Sequence, residues 1–292
     1  MNTSIEPKDR ERSSKLGIYE KAFPTSFDWE ERFSAARRIG FDFIEFSIDQ
    51  SSARMARLAW DEGAKQGFVK SAKEQQISVP TLCLSGLRSY PLGSSDDRVR
   101  EEGLALVERA IHLAASLGIS IVQLAGYDVY GEPSTPESRR RFKEQLGRAL
   151  RTARKYSTVL AIENMETSAT DSLAKVMEYI RYWDDPLLQA YVDVGNLIAM
   201  GHDLAEQLAL AQGKIAAFHI KDVLPGICRD VPFKAGIVDF DHVFSTIKET
   251  GFAGLFVVEM WAASSMDADP VAEVEKAYRF IAGKLNQFGF SV

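Results

Sequence analysis

Four apolar runs in this sequence, each typical of a buried β-strand, end at an acidic or imidazole side chain. They are residues 158–162 before Glu163, 191–192 before Asp193, 215–218 before His219 and 255–258 before Glu259. Three carboxylates and one imidazole suit Mn²⁺, Mg²⁺ or Co²⁺, and Zn²⁺ also accepts such ligands. The sequence therefore predicts one divalent metal ion bound by Glu163, Asp193, His219 and Glu259.

The spacing of these four side chains fits neighbouring strands of one barrel. Each is separated from the next by about one strand and one helix, which places them at the carboxyl ends of strands 5 to 8. A single Glu or Asp after a strand is more often a helix N-cap, and a single His is more often a hydrogen-bonded core residue. Four together favour a metal site, because three facing carboxylates are costly without a cation. We expect His112, His202 and His242 to be structural or exposed.

Eight strand patterns alternate with eight helix patterns along the chain. The strands are predicted at residues 16–20, 43–48, 78–84, 119–124, 158–162, 188–192, 215–218 and 255–258. The helices are predicted at residues 28–39, 55–76, 97–117, 136–155, 171–183, 204–211, 239–250 and 270–288. This alternation indicates parallel strands with right-handed crossovers. It predicts an α/β fold, a single (β/α)8 TIM barrel.

One catalytic barrel domain is expected over residues 16–292. Residues 1–15 are polar and charged, so we expect a flexible tail rather than a signal peptide. An open doubly wound sheet is the alternative fold. It calls for a glycine-rich nucleotide-binding loop after strand 1, where the sequence instead reads Tyr-Glu-Lys-Ala.

Composition narrows the function classes. The chain has 292 residues and a net charge of −6, which argues against a nucleic-acid or anionic-membrane partner. The two cysteines, Cys83 and Cys228, lie far apart, which argues against a disulfide framework and a structural zinc ribbon. This use of cysteine is typical of a reducing compartment, so we expect a cytoplasmic protein. No apolar run is long enough to span a membrane.

Nine short segments carry a resemblance to known enzymes that runs from strand 1 to the last helix. They are residues 17–22, 40–45, 83–85, 91–94, 123–130, 193–196, 219–222, 231–233 and 259–261. With these segments the chain resembles the sugar-phosphate 3-epimerase branch of the xylose isomerase-like barrels. It looks most like the L-xylulose or L-ribulose 5-phosphate 3-epimerases, which are also called hexulose-6-phosphate isomerases. The resemblance implies the same four metal ligands, a sugar phosphate as partner and a homodimer.

The resemblance implies an isomerase that epimerises C3 of a ketopentose 5-phosphate, converting L-xylulose 5-phosphate to L-ribulose 5-phosphate. This reaction removes a proton next to a carbonyl and returns one on the opposite face. A divalent metal ion would polarise the carbonyl and stabilise the enediolate. We expect Glu163 and Glu259 to be the catalytic pair, and Asp193 and His219 to anchor the metal.

Further side chains near the strand ends are candidates for binding the sugar phosphate. The predicted phosphate ligands are Lys21, Ser85, Arg88, Lys221 and Lys234. Each of the four cations alone is equally typical of a solvated surface charge. Asn196 is expected to bond the substrate or to cap the following turn. Glu20 is expected to meet the sugar or a supporting partner, and Trp261 to form a wall of the pocket.

Two substrate loops differ from the family pattern. The loop after strand 3 differs at Leu87 and Ser89, and the loop after Phe233 differs at Lys234 and Ala235. These differences bear on which sugar is bound more than on the type of reaction. An aldose–ketose isomerase, such as a hexulose-6-phosphate or hydroxypyruvate isomerase, is the alternative on the same site. A metal-dependent endonuclease would need a histidine-rich three-metal site and a basic face, against which four histidines and the negative charge argue. A non-catalytic sugar-binding barrel is a further alternative. The intact set of four metal ligands argues against it, because a barrel without catalysis would be free to lose them.

Overall fold

The computed structural model of the chain describes residues 14–262 and 269–292. Within them, parallel strands close into an eight-stranded barrel in which the first strand pairs with the last. The barrel strands are β1 Lys15–Tyr19, β2 Phe43–Ser47, β3 Thr81–Leu84, β4 Ile121–Ala125, β5 Val159–Glu163, β6 Leu188–Asp193, β7 Ile215–Ile220 and β10 Leu255–Val258. Strands β8 Asp222–Leu224 and β9 Ile227–Val231 form a separate antiparallel hairpin. The predicted barrel is confirmed, while the predicted tail lies outside the described residues up to residue 13.

Helices connect the barrel strands. They are α1 Trp29–Ile39, α2 Ser52–Met55, α3 Glu62–Glu74, α4 Asp97–Leu117, α5 Pro136–Tyr156, α6 Leu173–Trp183, α7 Val194–Ala199, α8 Leu204–Leu210, α9 Phe240–Glu249 and α10 Pro270–Gln287. A capping box of Asp28 and Glu31 starts α1, and Gly40, with φ 120°, ends it as predicted. The single helix predicted at 55–76 is wrong, because Asp61 caps a new helix, α3, after a break at Trp60.

Alternate residues of each strand face the barrel interior and the helices. In β2, Ile44 and Phe46 pack in the outer core between strands and helices, whereas Phe43 belongs to the inner core. All five residues of β2 are buried, because helices cover one face of the strand and the opposite barrel wall covers the other. The inward positions therefore include Glu45, whose carboxylate is fully buried.

Two elements near the carboxyl ends of the strands were predicted as loops. Helix α7 directly follows β6, and Asp193 is its N-cap. Its first four residues are buried, so it lacks the polar face by which a surface helix is recognised in sequence. The β8–β9 hairpin and its return loop, together residues 222–238, fold beside β7 within the segment predicted as one long loop.

One buried carboxylate organises this hairpin and return loop. The side chain of Asp222 accepts backbone N–H groups from Val223, Lys234, Gly236 and Val238 at 2.9, 2.9, 3.0 and 3.2 Å. A Cβ at Gly236 would lie 2.1 Å from Asp222 Oδ1, so only glycine allows this approach. Asp222 thus fixes the loop that follows β9.

Replacing Asp222 by Ala should loosen this loop. Three backbone N–H groups of the return loop lose their acceptor, and each unsatisfied group costs about 1–3 kcal/mol before the loop rearranges. We expect residues 225–238 to exchange amide hydrogens faster, as measured by mass spectrometry. Asp230→Asn is the matched control, because Asp230 is exposed in the same hairpin and Asn tolerates its positive φ of 57°. Equal exchange in both variants would contradict this role.

Candidate metal centre and substrate cavity

The four predicted metal ligands meet at the carboxyl rim of the barrel. Glu163 and Asp193 are the last residues of β5 and β6, His219 lies in β7, and Glu259 follows β10. One donor atom from each side chain lies within 4.8 Å of the others. Parallel strands that end at one rim bring these distant residues together. The structure thus contains a group of side chains that could hold a metal ion.

Positive groups are interleaved with the three carboxylates. The His219 Nδ1 atom lies 2.7 Å from Glu163 Oε1 and 3.8 Å from Glu259 Oε2. The Lys221 ammonium lies 2.5 Å from Asp193 Oδ2 and 3.0 Å from Glu259 Oε2. Lys221 was predicted as a phosphate ligand, but in this structure its buried ammonium pairs with two of the candidate metal ligands.

The environment shifts the pKa values of Asp193, Glu259 and His219. Burial raises the pKa of Asp193 to about 7, although Lys221 opposes the shift. Burial also raises the pKa of Glu259, but the nearby positive charges of Lys221 and His219 outweigh this effect and lower the pKa to about 2. Burial disfavours a charged imidazole, yet nearby Glu45, Glu259 and Glu163 raise the pKa of His219 well above its usual value. The site thus concentrates negative charge that attracts cations.

The donor atoms fit a divalent cation. Asp193 Oδ1 accepts the backbone N–H of Asn196 at 2.9 Å, so this oxygen is already used for capping α7. Asp193 Oδ2 receives no hydrogen bond of normal geometry within the described ranges, although the Lys221 ammonium lies 2.5 Å from it. A carboxylate oxygen has more than one lone pair, so Asp193 can offer Oδ2 to a metal while Lys221 stays beside it, together with two Glu carboxylates and an imidazole nitrogen.

A cavity of about 40 Å³ adjoins this group, and both Glu163 and Glu259 line it. Six of the eight predicted substrate-binding residues also line it: Lys21, Ser85, Arg88, Asn196, Lys221 and Trp261. Glu166 and Arg229 line the cavity too, and the sequence analysis identified neither. Arg229 lies in β9, which was predicted as loop, so no strand pattern pointed to it.

The other two predicted substrate-binding residues have different surroundings. Glu20 is fully buried, and its carboxylate accepts hydrogen bonds at 2.7 Å from both Arg54 and Arg57. Neither Glu20 nor these two arginines line the small cavity. The ammonium of Lys234 lies 4.6 Å from the ring centre of Phe280, outside the small cavity.

Three polar atoms beside the cavity are buried without a hydrogen-bond partner in the part of the chain that is described. They are Ser85 Oγ, Arg88 Nε and Asn196 Oδ1. Lys21, by contrast, pairs with Asp49 at 2.6 Å. Buried polar atoms are normally satisfied, so three orphans around one cavity indicate a polar ligand.

Residues 33–283 match the family model described as xylose isomerase-like TIM barrel. The chain belongs to this family. L-ribulose-5-phosphate 3-epimerase UlaE of Escherichia coli O1:K1 is 40% identical over 274 residues, covering 94% of this chain and 96% of that protein. The UlaE protein of Escherichia coli strain SE11 has the same identity and coverage.

Solved structures with this fold include other epimerases. D-psicose 3-epimerase from Clostridium cellulolyticum H10 superposes with a TM-score of 0.80 at 14% identity, over 93% of this chain and 99% of that one. An L-ribulose 3-epimerase superposes with a TM-score of 0.78 at 19% identity, over 94% and 95%. At these identities the similarity shows the shared barrel alone. Among the described residues, no helix is long and apolar enough to cross a membrane.

In this member of the xylose isomerase-like family, supporting residues hold the candidate ligands from below. The Gln123 amide donates to Glu163 Oε2, and the backbone N–H of Leu84 donates to Gln123 Oε1 at 3.2 Å. Asn164 forms two 2.9 Å hydrogen bonds with the backbone of Asp193. The sequence analysis assigned neither Gln123 nor Asn164 a role. Gln123 could have been found as a polar residue inside an otherwise apolar strand.

A divalent ion should stabilise the folded protein, because it binds the native carboxylate group and not the unfolded chain. At 100 times the Kd, the free energy of unfolding should rise by about 2.7 kcal/mol. Differential scanning fluorimetry with Mn²⁺ should show a higher Tm that EDTA reverses. His219→Ala should remove the shift, and His112→Ala, an exposed histidine on α4, should retain it. A Tm unaffected by Mn²⁺, Co²⁺, Zn²⁺ and Mg²⁺ would contradict the metal centre.

Proposed function

We propose that this protein is an L-ribulose-5-phosphate 3-epimerase that interconverts L-xylulose 5-phosphate and L-ribulose 5-phosphate. The observation that carries the proposal is the pair Glu163 and Glu259, which border one cavity beside His219 and Asp193. The 40% identity to UlaE over 94% of the chain supports the choice of substrate. We further propose that residues 16–292 form the single catalytic domain of a cytoplasmic homodimer.

Glu163, Asp193, His219 and Glu259 would hold one divalent ion, Mn²⁺, Zn²⁺, Co²⁺ or Mg²⁺. When bound, such an ion acts as a Lewis acid toward the sugar carbonyl, which makes the neighbouring C–H more acidic. Burial of the group favours this chemistry, since electrostatic interactions are stronger away from water.

The two glutamates would carry the proton transfers at C3. One glutamate, as the carboxylate, would accept the proton from C3 on one face of the sugar, and the other, as the carboxylic acid, would return a proton on the opposite face. Both border the same cavity, so a sugar bound there lies within reach of each. Their roles exchange in the reverse reaction. The alternative in which both only ligate the metal would require another base at the cavity.

The phosphate would lie at the end of the cavity marked by Ser85 and Arg88. Both side chains have a buried atom without a partner within the described residues, which a phosphate oxygen would satisfy. The Arg88 guanidinium stacks against Tyr127 and Tyr130, at 5.3 and 5.7 Å from the ring centres, and this packing holds it in place. Lys21 would add a further positive charge, although Asp49 already pairs with it.

The remaining cavity residues would position the sugar. Asn196 Oδ1 would accept a hydrogen bond from a sugar hydroxyl, and Trp261 would pack against the carbon chain. Lys221 would stay with the carboxylates that it contacts. Lys234 does not line this cavity, so its position gives no support for a direct contact to substrate there.

Arg88→Met should raise the KM for L-ribulose 5-phosphate about 10- to 100-fold, the worth of one to two charge-assisted hydrogen bonds. The KM for unphosphorylated L-ribulose should change little, because it lacks the group that Arg88 binds. Steady-state kinetics on both sugars measures the difference. Arg151→Met, an exposed arginine on α5, is the matched control. An equal rise in KM for both sugars would contradict a phosphate contact.

Proton exchange at C3 should accompany turnover. Proton NMR of L-xylulose 5-phosphate in D₂O, with protein supplied with Mg²⁺ or Zn²⁺, should show deuterium at C3 and formation of L-ribulose 5-phosphate. Glu163→Gln should lower kcat about 10²- to 10⁴-fold, the usual contribution of a general acid or base. Glu249→Gln, an exposed position at the end of α9, should keep full activity.

The same experiment separates the alternatives. Deuterium at C1 or an aldose product would assign the protein to the aldose–ketose isomerases. Absence of exchange with every ketose phosphate, while a metal ion still binds, would exclude both reactions and favour a sugar-binding barrel.

A further inference from the structure

Glu45 reaches a candidate metal ligand from the far wall of the barrel. It lies in β2, which neighbours β1 and β3, whereas His219 lies in β7 between β6 and β10. The Nε2 atom of His219 nevertheless lies 2.7 Å from Glu45 Oε1, across the barrel interior. Both side chains are fully buried. This contact uses the ring nitrogen that faces away from the other candidate ligands.

The second oxygen of Glu45 is also occupied. The Tyr191 hydroxyl donates to Glu45 Oε2 at 2.6 Å. The ring of Tyr191 packs 4.6 Å from the ring of His219, centre to centre, and the ring of Tyr19 lies 6.3 Å away on the same measure. Glu45 and two tyrosines thus limit both the hydrogen bonding and the rotation of the His219 ring.

In a neutral imidazole that offers Nδ1 to a metal ion, the proton lies on Nε2. The Glu45 carboxylate accepts a hydrogen bond from this N–H, which holds the proton on Nε2 and leaves the lone pair on Nδ1. Nδ1 is the atom that faces Glu163 and Glu259. A histidine ligand needs this lone pair, and a carboxylate partner on its other nitrogen raises its basicity.

We propose that Glu45, held by Tyr191, is the positioning residue that orients His219 for metal binding through Nδ1. The proposal rests on the metal centre of the proposed function. Glu45 itself contacts neither the metal nor the sugar in this scheme. Its fully buried carboxylate acts through His219.

Isothermal titration with Mn²⁺ tests the proposal. Glu45→Leu, which removes the acceptor, should weaken the Kd for Mn²⁺ roughly 10- to 100-fold, the usual effect of losing such a partner. Glu45→Gln keeps an acceptor oxygen and should weaken Mn²⁺ binding less than Glu45→Leu does. The conservative substitution should thus restore part of the affinity. Tyr191→Phe should have the smallest effect of the three. Circular dichroism selects a temperature at which each variant is folded.

A spectroscopic readout separates positioning from plain stability. In Zn²⁺-loaded protein labelled with ¹⁵N-histidine, the His219 Nε2–H proton should resonate downfield and exchange slowly with water. In Glu45→Leu it should move upfield and exchange faster. A merely structural residue would lower the Tm but leave both this signal and the Kd unchanged.

Asp185→Asn is the control for loss of a buried carboxylate. Asp185 precedes β6 at the opposite rim, pairs with Arg154 at 2.6 Å and should keep the wild-type Kd. If wild-type protein binds Mn²⁺ and all Glu45 and Tyr191 variants bind it equally well, the proposal is wrong and the metal centre stands. If the wild-type protein binds no metal ion, both fail. Should Glu45→Leu not fold, the Gln and Phe variants still decide.

Discussion

Charge compensation in a buried space is the constraint on which the rest of this structure depends. Glu45, Glu163, Asp193 and Glu259 surround one imidazole ring, and all four carboxylates are largely shielded from water. Such a concentration of negative charge is unstable unless cations or hydrogen-bond donors balance it. His219 and Lys221 supply part of that balance. A centre that attracts a divalent cation follows from the same imbalance.

The barrel balances these charges with side chains arranged in layers. At the rim, the strand ends present the candidate ligands. One layer below, Gln123 and Glu45 hold Glu163 and His219 from inside the barrel. Beside the strands, Asn164 ties Asp193 through its backbone. Glu163, His219 and Asp193 are therefore each constrained through a different element, which reduces the freedom of the group as a whole.

The strand–helix alternation and the ends of four buried strands could be predicted, because burial on both faces leaves continuous apolar runs in the sequence. The hairpin and α7 could not, since α7 is buried on most sides and the hairpin depends on hydrogen bonds from the return loop to Asp222. Glu45 escaped prediction for a related reason. The sequence around Glu45 does not indicate which residue its carboxylate contacts. That residue, His219, lies 174 positions away and comes close only in the closed barrel.

This long separation has a consequence for how the protein reaches its native state. Residues 45 and 219 meet across the barrel interior, and closing so long a chain segment is slow and entropically costly. A nascent chain that has not yet formed β7 holds an incomplete set of donors. The half of the barrel from β5 to β10 contains all four candidate ligands but not Glu45, so on its own it should bind an ion more weakly than the closed barrel.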